Sequence, residues 1–168
     1  TAAVGAQLTV EGDISSSGDY YGSISASQDV PTVKYGDGTT ILGAVGNYSG
    51  EVISSPNTTS LTKGAIYYLN NTAWAATDAD AESTSIGLLA VALGTQGDHG
   101  MLLRGVVKLS ADPGGNPGAA LYLSTTAGQA SNGAPSGNND VARVIGYNLG
   151  SSGEIYFNPD NTWVKVSA

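Results

Sequence analysis

Apolar residues in this chain come in short bursts and never in long runs. After residue 60 the bursts are Gly64–Leu69, Ile86–Leu93, Gly100–Leu109, Ala119–Ser124, Ala142–Leu149, Gly153–Phe157 and Trp163–Val166. Bursts of this length, bounded by turn residues, predict β-strands. The separators "NNT", "TQGDHG", "ADPGGNPG", "SNGAPSGNND", "SSG" and "NPDN" are dense in Gly, Pro, Asn, Asp and Ser, which set tight turns. One separator, "WAATDADAESTS", is rich in Ala but has no apolar face at helical spacing and leads straight into a strand. It reads as a loop or a single turn. The pattern predicts an all-β fold.

Residues 1–50 are thinner. "AQLTVEGDISSSGDYYGSIS" alternates apolar and polar residues around Leu8, Val10 and Ile14, and "KYGDGTTILGAVG" places a Gly-Asp-Gly turn before Ile41 and Leu42. Segments with Gly every few residues cannot offset the entropy of ordering from their own contacts. The expected layout is therefore an extended, β-rich N-terminal arm over residues 1–50, followed by a barrel domain over 51–168. The arm should order against the barrel, a symmetry mate or a partner.

The barrel segment repeats itself. "GAIYYLNNTAWAA" at Gly64 returns as "GAALYLSTTAGQA" at Gly118, 54 residues on (64 to 118). "GLLAVALG", ending at Gly94, matches "RVIGYNLG", ending at Gly150, now 56 residues apart (94 to 150). The copies span about 61–109 and 115–166, each a strand, a long loop, a strand, a tight turn and a strand. A three-stranded unit with one apolar face cannot bury it alone, whereas two such units can. The expected architecture is a small β-barrel or sandwich built from a duplicated three-stranded unit.

Composition agrees with this picture and narrows the partners. Only 12% of the 168 residues are charged, half of the roughly 25% usual in soluble domains, while Gly reaches 24. Six Lys and Arg against fourteen Asp and Glu leave a formal charge of −8. Such a surface repels phosphate backbones and anionic lipid, which argues against nucleic acid and membrane as partners. There is no cysteine, hence no disulfide framework and no thiolate metal site. The N-terminal residues lack the basic and apolar stretches of a signal peptide. Thr1 would suit a chain whose initiator Met had been excised, and the chain would then be a complete small gene product.

Few residues suggest chemistry. His99, the single histidine, sits beside Asp98 in a turn, without the G-x-S-x-G elbow that would mark a nucleophile. Asp78, Asp80 and Glu82 alternate in "TDADAES" and would share one side of an extended chain, an arrangement open to Ca²⁺, but the EF-hand spacing is absent. A solvated acidic loop is the simpler reading, and a depolymerase or hydrolase using Asp78, Asp80, Glu82 or His99 is the weakest functional reading. No catalytic residue, cofactor site or metal site is expected. The N-x-S/T matches at Asn47, Asn57 and Asn70 are what chance provides in so Asn- and Thr-rich a chain. Tyr67, Tyr68, Tyr122, Tyr147 and Tyr156 fall in predicted strands, and Trp74 and Trp163 suit core or rim positions. Tyr20, Tyr21 and Tyr48 lie instead on the thin arm, where an amphipathic ring serves as an interface anchor.

The words "LTKGAIYYL", "GLLAVALGT", "GMLLRGVVKLSA", "GAALYLSTTAG" and "IYFNPDNTWVKV" resemble a module of virion proteins from tailed bacteriophages, over about two-thirds of the chain. "LTVEGDISSSG" is similar to β-repeats of phage fibres, and the "GVV" after Arg104 and the barrel layout resemble capsid decoration (cement) proteins. The resemblance implies a non-enzymatic virion component, made in the host cytoplasm and sited on the outer capsid surface. Its partners would be two further copies of itself, as a homotrimer, and the major capsid protein. The alternative is a tail-fibre or receptor-binding domain that recognises host surface glycan, favoured if the chain is a fragment of a longer one.

Overall fold

The computed structural model describes residues 44–55, 58–150 and 152–167, so Tyr20, Tyr21 and most of the expected arm lie outside the described residues. The strands are β1 (Tyr48–Ile53), β2 (Ile66–Asn70), β3 (Ala73–Ala76), β4 (Leu89–Ala92), β5 (Met101–Lys108), β6 (Ala120–Leu123), β7 (Ala130–Ser131), β8 (Val141–Ala142), β9 (Val144–Asn148), β10 (Glu154–Phe157) and β11 (Val164–Lys165). No α-helix occurs among the described residues, and the fold is all-β. All seven predicted bursts hold strands. The separator read as a loop or single turn is divided: Glu82–Thr84 form one 3-10 turn, but Ala73–Ala76 pair with β2. Alanine has a weak strand preference, and what makes β3 is tertiary: Asn71 takes a left-handed φ of 55° in the hairpin turn, and Trp74 is buried.

Eight strands form a strongly curled antiparallel half-barrel in the order β3-β2-β4-β5-β10-β9-β6-β7. The order is a palindrome of the two sequence copies, with β5 and β10 meeting at its centre. The duplication also reaches individual hydrogen bonds. Gly64 N–H donates to Ala92 O, as Gly118 N–H does to Asn148 O; Ala92 N–H donates to Ala65 O, as Asn148 N–H does to Ala119 O. Gly64 and Gly118 share a positive φ of 78° and 86°. A two-stranded ladder of β8 and β11 sits beside the main sheet.

β5 carries the most connections. Its residues Met101 to Val107 pair with β1, which occupies one edge throughout. The other edge is shared: β4 pairs with Met101 and Leu102, and β10 pairs with Gly105 to Lys108. Such sharing requires a strand that bends sharply within the one curled sheet. The bend is a β-bulge, since Glu51 opposes Arg104 while Val52 opposes Leu102, leaving Leu103 extra. A second bulge, at Ile145, bends β9 against β6.

The two faces of the sheet bury separate clusters, as the period-2 alternation of side chains dictates. Ile66, Leu89, Val91, Leu102, Val107, Leu121, Leu123, Ile145, Ile155 and Phe157 fill the main core inside the curl. Tyr67, Trp74, Ala90, Ala92, Met101 and Leu61 form a second cluster behind β2, β4 and β5. β4 is therefore buried on both faces. Each fully buried Leu, Ile or Phe contributes about 1.5–3 kcal/mol. The ends of the curled sheet are laced by loop backbone, not by a strand ladder. Ile66 N–H donates to Gly128 O, Gly128 N–H to Thr77 O, Ala79 N–H to Ser124 O and Val141 N–H to Ala79 O.

Candidate functional site

Of the three tyrosines expected at an interface, Tyr48 lies among the described residues, on β1. That strand crosses the expected boundary at residue 50 and belongs to the sheet. Tyr48 opposes Val107, and Val52 opposes Leu102, both fully buried in the main core. Directly opposed residues project to the same face. The core-side face of β1 is thus apolar, yet Tyr48 is 46% and Val52 37% exposed. Between them Gly50 opposes Gly105, and the strands approach so closely that a Cβ on either would meet the other strand's backbone.

A second feature was not anticipated from sequence. A groove of about 410 Å³ opens where the start of β4 meets the segment after β10, lined by Leu88, Leu103, Pro159, Asn161, Trp163 and Arg143, among others. Leu88 and Trp163 stand in solvent at 45% and 41% exposure, whereas Arg143 is 3% exposed. Arg143 is fixed by backbone carbonyls: Nε donates to Asp160 O (2.7 Å), and Nη1 donates to Ser85 O (2.9 Å) and Gly87 O (3.0 Å). It thereby ties the loop before β4 to the chain after β10. Burial pushes its guanidinium below the ordinary Arg value, and the Asp160 charge opposes that shift.

The Asp160 carboxylate is engaged locally. It accepts from Thr162 N–H and the Thr162 hydroxyl, each at 2.9 Å. These two bonds, more than the charge of Arg143, hold its carboxyl below the ordinary Asp value. A carboxyl depressed in the folded state adds stability above its unfolded pKa and loses it as pH falls through the folded pKa. Thr162→Val removes the hydroxyl bond and should move the Asp160 titration, followed by carbon NMR, up toward the ordinary value. An unchanged titration would show that the hydroxyl contributes nothing.

The residues weighed for chemistry do not converge. His99 Nε2 and Asp98 Oδ1 are 3.9 Å apart, and both side chains are half exposed. In the acidic loop, Asp78 Oδ1 accepts Asp80 N–H (3.0 Å), and Glu82 lies 3.9 Å from Lys165. The Asp80 carboxyl is raised, first by desolvation and then by the charges of Asp78 and Asp140. No group of three His, Asp or Glu able to hold a metal ion occurs among the described residues. Nor is any helix among them long and apolar enough to cross a membrane. Tyr67 and Tyr156 do place their hydroxyls on partners, accepting from Thr62 N–H (2.7 Å) and Arg104 Nε (3.1 Å).

No protein-family model, curated protein or solved structure matches this chain. The one sequence cue to the groove was Arg143 itself, a cation inside an apolar burst of a chain with only six Lys and Arg.

Proposed function

We propose that the chain is a non-enzymatic structural protein of a phage virion, a decoration protein that binds the outer head surface as a trimer and braces neighbouring capsomers. The observation that carries the assembly part is β1, whose core-side face leaves Tyr48 and Val52 exposed beside a fully buried core. An apolar flank continuous with a core is suited to burial by another chain. The virion part is carried by the sequence resemblance. The mechanism is area and repetition: an interface of standard size buries about 1,600 Å² in total, and three copies multiply weak contacts.

Light scattering on the purified chain tests the assembly part, with Tyr48→Ser/Val52→Ser as the variant. A trimer mass that drops to the monomer in the variant supports the proposal, and a monomeric parent protein contradicts the trimer. Adding the protein to undecorated heads tests the virion part. A raised thermal rupture threshold is expected, and no rise would overturn the decoration role.

A further inference from the structure

We infer that the groove beside Arg143 is a binding site for a small carboxylic acid with an apolar body. This reading does not rest on the virion proposal, and either can fail without the other. A guanidinium has five N–H donors. In Arg143 the Nε donor goes to Asp160 O and two Nη1 bonds go to Ser85 O and Gly87 O. The Nη2 donors take part in none of the hydrogen bonds of the described residues. The ion pairs among those residues are His99–Asp98, Lys108–Glu154 and Lys165–Glu82, so no carboxylate pairs with Arg143 within 4.0 Å. Asp160 is the near opposite charge, but its carboxylate is engaged by Thr162 and makes no direct pair with Arg143, which is an expensive arrangement for a cation that is 3% exposed. A carboxylate on Nη2 supplies the direct pair.

The walls decide the rest of the ligand. Leu88, Leu103, Pro159 and the Trp163 indole are apolar, and Asn161 is the one amide on the lining. At about 410 Å³ the groove lies in the size range of small-molecule sites, roughly 300–1,000 Å³, which are typically apolar with a few placed polar groups. An apolar body held between Leu88 and Trp163 with its anion on Arg143 fits that lining. A phosphate or a bare carboxylate would leave the walls in water.

The test is NMR titration of the whole chain with phenylacetate, using phenylacetamide and acetate as controls. The chain has two tryptophans, hence two indole N–H signals. Trp163 lines the groove and reports binding, while Trp74, buried in the second cluster, should stay still. Phenylacetate is expected to bind in the low-millimolar range, as its size allows, moving the Trp163 and Arg143 Nε–H signals. The amide and acetate should each bind at least about tenfold more weakly. Trp163→Ala, at an exposed position, should weaken binding by about tenfold, read at Arg143 Nε–H. Arg143→Lys should also lose binding; if it does not fold, the amide comparison carries the charge test alone. Absence of binding, equal binding of the amide, or equal binding of acetate would overturn the inference. So would at least tenfold tighter binding of a peptide ending in Phe with a free carboxyl, which would make the occupant a chain end.

Discussion

Gly146→Ala is expected to cost about 3–5 kcal/mol, enough to consume much of the stability of a typical small domain. Two effects combine at this position. The residue has φ +149°, where side chains are rare, and a Cβ would run into the carbonyl oxygen of Tyr156 on β10. Backbone cannot swing aside as a flexible side chain can, and here it belongs to the β9–β10 ladder. Gly146 also adjoins the bulged Ile145, so any shift to relieve the clash disturbs the bend of the half-barrel. Gly118→Ala separates the two effects. That residue has φ +86°, but a methyl group there would meet nothing within 4 Å, so only the conformational cost of about 1 kcal/mol applies. Urea unfolding of both variants decides the matter, and equal losses would mean that the contact with Tyr156 O is not limiting.

Lys108→Met is the second large effect, at about 3–5 kcal/mol. Lys108 and Glu154 oppose one another across β5 and β10, with Nζ 3.1 Å from Oε1 and side-chain exposures of 14% and 5%. Removing the lysine strands a carboxylate at the seam between the two sequence copies. The ion pair itself need not contribute much, because desolvating both charges offsets most of their attraction. Lys108→Met/Glu154→Leu should therefore recover most of the loss, since it leaves no orphaned charge. A double variant as unstable as the single one would show that the aliphatic stem of Lys108, and not its charge, holds the seam.

Seven strands after residue 60 were legible because each lies in a compact apolar burst between turn residues, and the duplication was legible because both copies kept their glycines. β3 was not, since "AWAA" carries little strand preference and its order comes from β2 and the burial of Trp74. β1 was not, since "YSGEVI" breaks at Gly50 and acquires its conformation from β5, some fifty residues away. The amphipathic ring of Tyr48 is visible in the sequence, but the face it shares with Val107 follows only from the register. The groove draws on residues from Leu88 to Trp163, and no local spacing can announce a site assembled from segments so far apart.

The sharing of one β5 edge by β4 and β10 has a consequence for synthesis on the ribosome. β4 precedes β5 and can pair with Met101 and Leu102 as soon as they emerge. The second half of that edge, Gly105 to Lys108, waits for β10, which begins 46 residues later (108 to 154). At 5–20 residues per second, the nascent chain displays an unpaired valine-rich edge for roughly 2–9 s. Neighbouring ribosomes on one message would hold several such edges close together, each a template for pairing with the wrong copy. The chain is thus most exposed to mispairing during the interval between its two halves.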